Sequence, residues 1–343
     1  GVGLYAKDSD VNLNNFTLNL NGDKALGFYL DGNTNFTGNG NININGNGIL
    51  VFNINSNGTF TNDFIINSSA GSTYTLGNVA DNTFRYTGSA SLAGNGSFIY
   101  GKNSAVLLDT GSVINAAEDN VVGISMEGQY NGSLPSGFQS GVDAENKGDI
   151  TLTGSNSAGI YAENSSRVKN SGNITVGNNS AGISTKGTAS SAVNSGTISI
   201  GEISTGIYGS ESSFTENTAD GKILSNASET AGIYMDGSAT AQLVNNGLVE
   251  LNGDKSRGIY VKGNGVKTIT NNGTIKIGNS SDINNPGIGI YSTGSGNTIL
   301  NSGNILTGNN SVGIYADGGT VNQSGLIMTG SSGTGIYGDR ANI

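Results

Sequence analysis

Ala158-Gly159-Ile160-Tyr161-Ala162, then Asn170-Ser171-Gly172-Asn173-Ile174-Thr175-Val176, is answered by Ala181-Gly182-Ile183-Ser184-Thr185 and Asn194-Ser195-Gly196-Thr197-Ile198-Ser199-Ile200. Outward from this stretch the first element returns at Gly206-Ile207-Tyr208, Gly232-Ile233-Tyr234, Gly258-Ile259-Tyr260, Gly289-Ile290-Tyr291, Gly313-Ile314-Tyr315 and Gly335-Ile336-Tyr337. From Gly159 the spacings are 23, 24, 26, 26, 31, 24 and 22 residues. The second element returns midway, at Asn245-Asn246-Gly247, Asn271-Asn272-Gly273 and Asn301-Ser302-Gly303, each followed by alternating apolar residues. A turn signal followed by strict alternation reads as a short strand with one buried face. Asn and Gly accept positive φ at little cost and so mark corners.

A period of about two dozen residues is too short for a propeller blade, which needs roughly 40. It also lacks the leucine pattern of a leucine-rich repeat. The reading is all-β: a right-handed parallel β-helix, or β-solenoid, with about two dozen residues per coil. Handedness is taken from the general right-handed preference of parallel β connections. Equivalent positions then stack about 4.8 Å apart, and about 14 coils would extend on the order of 65 Å. The chain is read as one β-helix over 1–343, with irregular coils over 1–122 and regular coils over 123–343. Insertions are placed at 129–144 and 278–287, which hold the two prolines, Pro135 and Pro286. A weaker bulge is expected near 211–220. Both ends open directly on repeats, so a longer parent chain is expected.

Composition narrows the function. Charged residues make up 12% of the chain, against roughly 25% in ordinary globular domains. The net charge of −10 argues against nucleic acid, which needs clustered Lys and Arg. With no Cys and no His, thiol chemistry, thiolate metal sites and histidine general bases are excluded. Regular apolar punctuation argues against disorder.

The alternation of Gly-Ile-Tyr or Gly-Ile-Ser with Asn-Ser-Gly-x-Ile-x-Val, in an Asn-rich chain without cysteine, resembles passenger repeats of Gram-negative type V autotransporter adhesins, the large fusobacterial ones above all. The resemblance covers about 120–340 clearly and the first third more loosely. It implies a cell-surface, extracellular passenger that binds a receptor protein or glycan on another bacterium or a host cell. It also implies a C-terminal outer-membrane barrel in the parent chain. Neither membrane insertion by this segment nor nucleic-acid binding is implied.

Chemistry is sparse. Asp149, Glu163, Glu202, Asp236, Glu250 and Asp317 share no single recurring frame position. Glu211, Glu216 and Asp220, and Glu127 with Asp143 and Glu145, are the denser acidic groups, and read as solvated loop acids. The expectation is therefore no enzyme, with no catalytic, metal or cofactor residue; a spacer shaft and a β-helical polysaccharide-degrading enzyme are the alternatives. Two sets of residues stand out as contacts. Tyr161, Tyr208, Tyr234, Tyr260, Tyr291, Tyr315 and Tyr337 point outward by alternation, forming either a stacking ladder or an aromatic platform. Tyr130, Leu134 and Phe138 place apolar side chains in the longest insertion and are the candidate receptor contact, on a loop expected to project without affecting the coils beneath. Asn170, Asn194, Asn245, Asn271 and Asn301 read as a corner hydrogen-bond ladder.

Overall fold

The computed structural model describes residues 1–92, 96–212, 214–263 and 265–343. Alternating apolar and polar residues become short strands separated by Gly- and Asn-rich corners. The strands pair in parallel as a β-solenoid of about 14 coils, roughly 24 residues each. Among the described residues no helix is long and apolar enough to cross a membrane. The chain comprises two compact units, Gly1–Thr175 and Val176–Ile343.

In the second unit each coil opens with a Gly-Ile-Tyr strand, or in the first of them Gly-Ile-Ser. These run Ala181–Lys186, Thr205–Ser210, Ala231–Asp236, Arg257–Val261, Ile288–Thr293, Val312–Asp317 and Thr334–Asp339, paired in that order. Their register puts Ile183, Ile207, Ile233, Ile259, Ile290, Ile314 and Ile336 in one column. All but Ile336 are fully buried. The glycine before each isoleucine has a packing reason. A Cβ at Gly232 would lie 2.4 Å from Cγ1 of Val249, on the third strand of the same coil, and 2.5 Å from the Gly258 carbonyl oxygen. The interior is too narrow there for any side chain.

In the second unit the second strand of each coil ends on an asparagine, except Thr320–Gln323, which ends on glutamine. Asn194, Asn217, Asn245, Asn271 and Asn301 are buried in register. Each donates its Nδ2–H to the amide oxygen of the next coil, at 2.8, 2.9, 2.8 and 2.6 Å, and Asn301 ends the series on Gln323 at 2.8 Å. In the first unit Asn146 donates to Asn170 in the same way, at 2.8 Å. Sequence reading misses Asn146, Asn217 and Gln323, because no Ser-Gly or Asn-Gly follows Asn146 or Asn217 and Gln323 is not Asn. It places a weaker bulge near 211–220, and the structure locates the extra residues at the end of that span. Phe214–Asn217 is a regular strand, and the extra residues sit after Asn217, where the Gly221 N–H closes a turn on the Thr218 carbonyl at 2.9 Å. Ser213 lies outside the described residues.

The first unit carries the same coils with different contents. Tyr-strand positions Leu4, Phe28 and Phe52 stack in register, as do Ile99, Ile124 and Ile160. Phenylalanines fill the early interior, with Phe36–Phe60 and Phe60–Phe84 stacked at 5.0 and 4.9 Å and Phe28–Phe52 at 5.0 Å. In place of two short strands around a corner, these coils use single long ones, Asp10–Leu20, Asn35–Ile44 and Phe60–Ser68. The first three of the coils expected to be irregular are thus even in length: Asn67 hydrogen-bonds Asn43 and Asn43 hydrogen-bonds Asn19, each pair 24 residues apart. Aromatic filling, and not a broken period, hides the repeat.

Candidate functional site

Two features stand on the outer surface of the coils. The first is the tyrosine row. In the second unit Ser184, Tyr208, Tyr234, Tyr260, Tyr291, Tyr315 and Tyr337 occupy one outward register position. From Tyr208 onward successive ring centroids are 5.2, 4.6, 5.1, 4.9 and 5.1 Å apart. Most neighbours lie nearly parallel; Tyr260 and Tyr291 meet edge to face at 72°, with the Arg257 guanidinium 5.1 and 5.6 Å from their centroids. Parallel rings at this spacing cover one another's faces, so the row presents ring edges and hydroxyls to solvent. The Tyr208 hydroxyl donates to Asp236 at 3.0 Å. Burial raises the hydroxyl pKa of Tyr208, Tyr234, Tyr291 and Tyr315.

Tyr161 belongs to the first unit and its register neighbour is Ser125. Its hydroxyl donates to Glu163 at 2.9 Å, and burial, helped by Glu163, pushes its pKa up to about 12. The same register position in that unit holds Tyr5, Tyr29, Asn53, Asn78 and Tyr100. Tyr5 and Tyr29 stack at 5.4 Å, and Asn78 donates to Asn53 at 2.9 Å. The Gly3-Leu4-Tyr5 and Gly27-Phe28-Tyr29 frames were the available signal for the first pair.

The second feature is the long insertion. The strand Val121–Glu127 ends and the next begins at Ala144, so the loop proper is 128–143. It is clasped down and does not project. Asp143, fully buried, accepts the Tyr130 N–H at 2.9 Å, the Arg167 N–H at 2.7 Å, and Arg167 Nε and Nη2 at 3.1 and 3.0 Å. Lys147 donates to the Gly137 carbonyl at 3.0 Å, Lys169 to Gln139 Oε1 at 2.8 Å, and Gln129 to the Ser165 carbonyl at 2.8 Å. Tyr130, Leu134 and Phe138 are half-buried. The loop covers an outward row, Arg85, Leu107, Glu145 and Lys169, which is one register column. Leu107 and Glu145 are 0% and 4% exposed although both face outward, and a Cβ on Gly137 would touch a Leu107 δ-methyl at 3.8 Å. Beneath the loop Glu145 meets Lys147 and Lys169 at 3.4 and 3.5 Å.

The remaining acidic groups are employed locally. Glu127 accepts from Tyr100 at 2.6 Å, a bond that lowers the carboxyl pKa and pushes the Tyr100 pKa up to about 12. Glu211 accepts the Ser238 and Ala239 N–H groups at 2.7 and 2.6 Å, Glu216 accepts from Asn246 at 2.9 Å, and Asp220 is exposed. The structure does not bring these three acids together. The second insertion fills 278–287 between strands ending at Ile277 and starting at Ile288. It is held by Asp254, which accepts from Ser280 Oγ and the Ser281 N–H at 3.0 Å each, and from Ser281 Oγ. These bonds, Ser281 first, lower the Asp254 pKa to about 2. A buried lysine, unsuspected from sequence, is Lys267. It is 1% exposed, its ammonium donates to the Gly237 carbonyl at 2.8 Å, and burial lowers its pKa. Among the described residues no three acids cluster as a metal site would require.

The family model described as the BigA third pectate lyase-like domain matches residues 9–206 and again 199–325. No curated protein and no solved structure matches the chain. Together these two matches span most of its length, in coils whose β-solenoid construction is that described above; the chain belongs to the BigA third pectate lyase-like domain family.

Proposed function

We propose that this chain is a segment of a surface-displayed autotransporter passenger that attaches to other cells by non-covalent contact, without cutting its partner. The family match supports a passenger β-helix on a bacterial surface or in a secreted protein. The observation that carries the contact role is the clasped 128–143 loop. An ordered loop with half-buried aromatic residues, pinned by the buried Asp143 against Arg167, offers a rigid and distinctive surface on an otherwise repetitive shaft. The binding reading is favoured over catalysis because the carboxylates near the loops hold turns, backbone N–H groups and lysines. The receptor is a protein or glycan on another bacterium or a host cell.

The test uses beads coated with the whole chain and counts attached bacterial or epithelial cells. Ser133, Ser136 and Ser140 are exposed on the loop; replacing all three with Glu places charge on its surface and leaves the clasp intact. Attachment should fall several-fold at unchanged melting temperature. Equal attachment would make the segment a spacer, and release of reducing ends from polygalacturonate by the chain would make it an enzyme.

A further inference from the structure

Beside the clasp, the loop closes one wall of a polar pocket of about 570 Å³. The opposite wall is a stack of corners from successive coils: Asn57, Asp81 and Asn103. The stretch from Gln129 to Ser133, with Tyr130 and Asn131, forms the loop wall, and Asn82 completes the lining. The volume is that of a small-ligand site, but the lining is dominated by side-chain amides. An amide presents donors and an acceptor together, which matches vicinal hydroxyls, each of them donor and acceptor. Tyr130 adds one aromatic surface for the apolar C–H side of a ring. Asp81 is the one charged residue in the lining, so the pocket disfavours acids.

The wall is built in advance. The Tyr130 N–H is fixed on Asp143 and its hydroxyl donates to the Ser133 carbonyl at 3.2 Å.

We infer that this pocket binds a neutral glycan, its hydroxyls held by Asn57, Asp81, Asn103 and Asn131 and one ring face against Tyr130. The inference rests on the contact reading of the loop and names its ligand class. The test passes the whole chain over immobilised oligosaccharides ending in galactose, N-acetylglucosamine or mannose, with sialyllactose and oligogalacturonate as acidic probes. A neutral probe should be retained in preference to both acidic ones. Asp81→Ala and Asn131→Ala, both at exposed positions, should each weaken retention about tenfold, as removal of a strong contact does, and Tyr130→Phe should preserve it. Failure to retain any neutral probe, preference for the acidic probes, or unchanged retention by both alanine variants overturns the proposal. If cell attachment is still lost in the triple-Glu loop variant while no neutral probe binds, the contact reading survives and the glycan pocket does not.

Discussion

Asn245 accepts from Asn217 at 2.9 Å and donates to Asn271 at 2.8 Å, wholly out of reach of water. Each ladder amide thus satisfies the coil on either side, which is why Asn recurs at a corner where an apolar residue could also be buried. Asn245→Ala strands one donor and one acceptor. Each costs about 1–3 kcal/mol when left unmade, so the loss should be about 3 kcal/mol in denaturant unfolding; a change below about 0.5 kcal/mol would show the ladder to be ornamental. The corner before each Gly-Ile-Tyr strand makes a different demand. Asn156, Asn179 and Asn310 hold φ of 56°, 51° and 53° there, and Ile203 holds 54° at the same place. A β-branched side chain is poorly suited to that region and Asn tolerates it. Ile203 is also 55% exposed, so little packing would be lost. Ile203→Asn should stabilise the chain by about 1 kcal/mol, read as a higher melting temperature; a lower one would contradict the assigned corner.

At the scale of elements, the 128–143 loop behaves as a strap. Its contacts shield Leu107 and Glu145 on an outward face that elsewhere meets solvent. Replacing Gln129–Val142 with a short Gly-Asn turn should therefore destabilise the first unit by about 2 kcal/mol, the cost of exposing a leucine. Hydrogen exchange should localise the loss to Ala105–Leu108 and Ala144–Asn146. Unchanged protection there would return the loop to the status of a tolerated surface insertion. The tyrosine row contrasts with the strap. Its rings face each other along the stack, so its contribution is internal, and the surface it offers is a line of hydroxyls flanked by Asp236, Asp317 and Asp339.

Across the whole molecule, stability is a sum of nearest-neighbour terms, because each coil touches chiefly the coils on either side. Ile233 pairs with Ile207 and Ile259 in the interior column. Ile233→Asp buries a charge without a partner and should cost several kcal/mol locally. Amide exchange should accelerate in the coils around Ala231–Asp236 while strands such as Phe60–Ser68, in the other unit, keep their protection. Uniform acceleration throughout would mean the coils unfold as one cooperative block.

The repeat by itself determined the coil, its length, the inward isoleucines, the outward tyrosines and most of the asparagine corners. Strand alternation and turn chemistry are local properties, and stacking copies each local choice into the next coil. Three things were decided only by the tertiary structure. The Phe-filled coils of the first third are regular because aromatic rings substitute for the Gly-Ile frame, a substitution visible only once the interior is packed. Asn217 joins the ladder through register and not through motif. The insertion lies flat because Asp143 finds Arg167 in the next coil, a pairing across 24 residues that carries no periodic signal. The pocket beside it has the same origin, since its walls come from corners far apart in sequence that stand together only when the coils are wound.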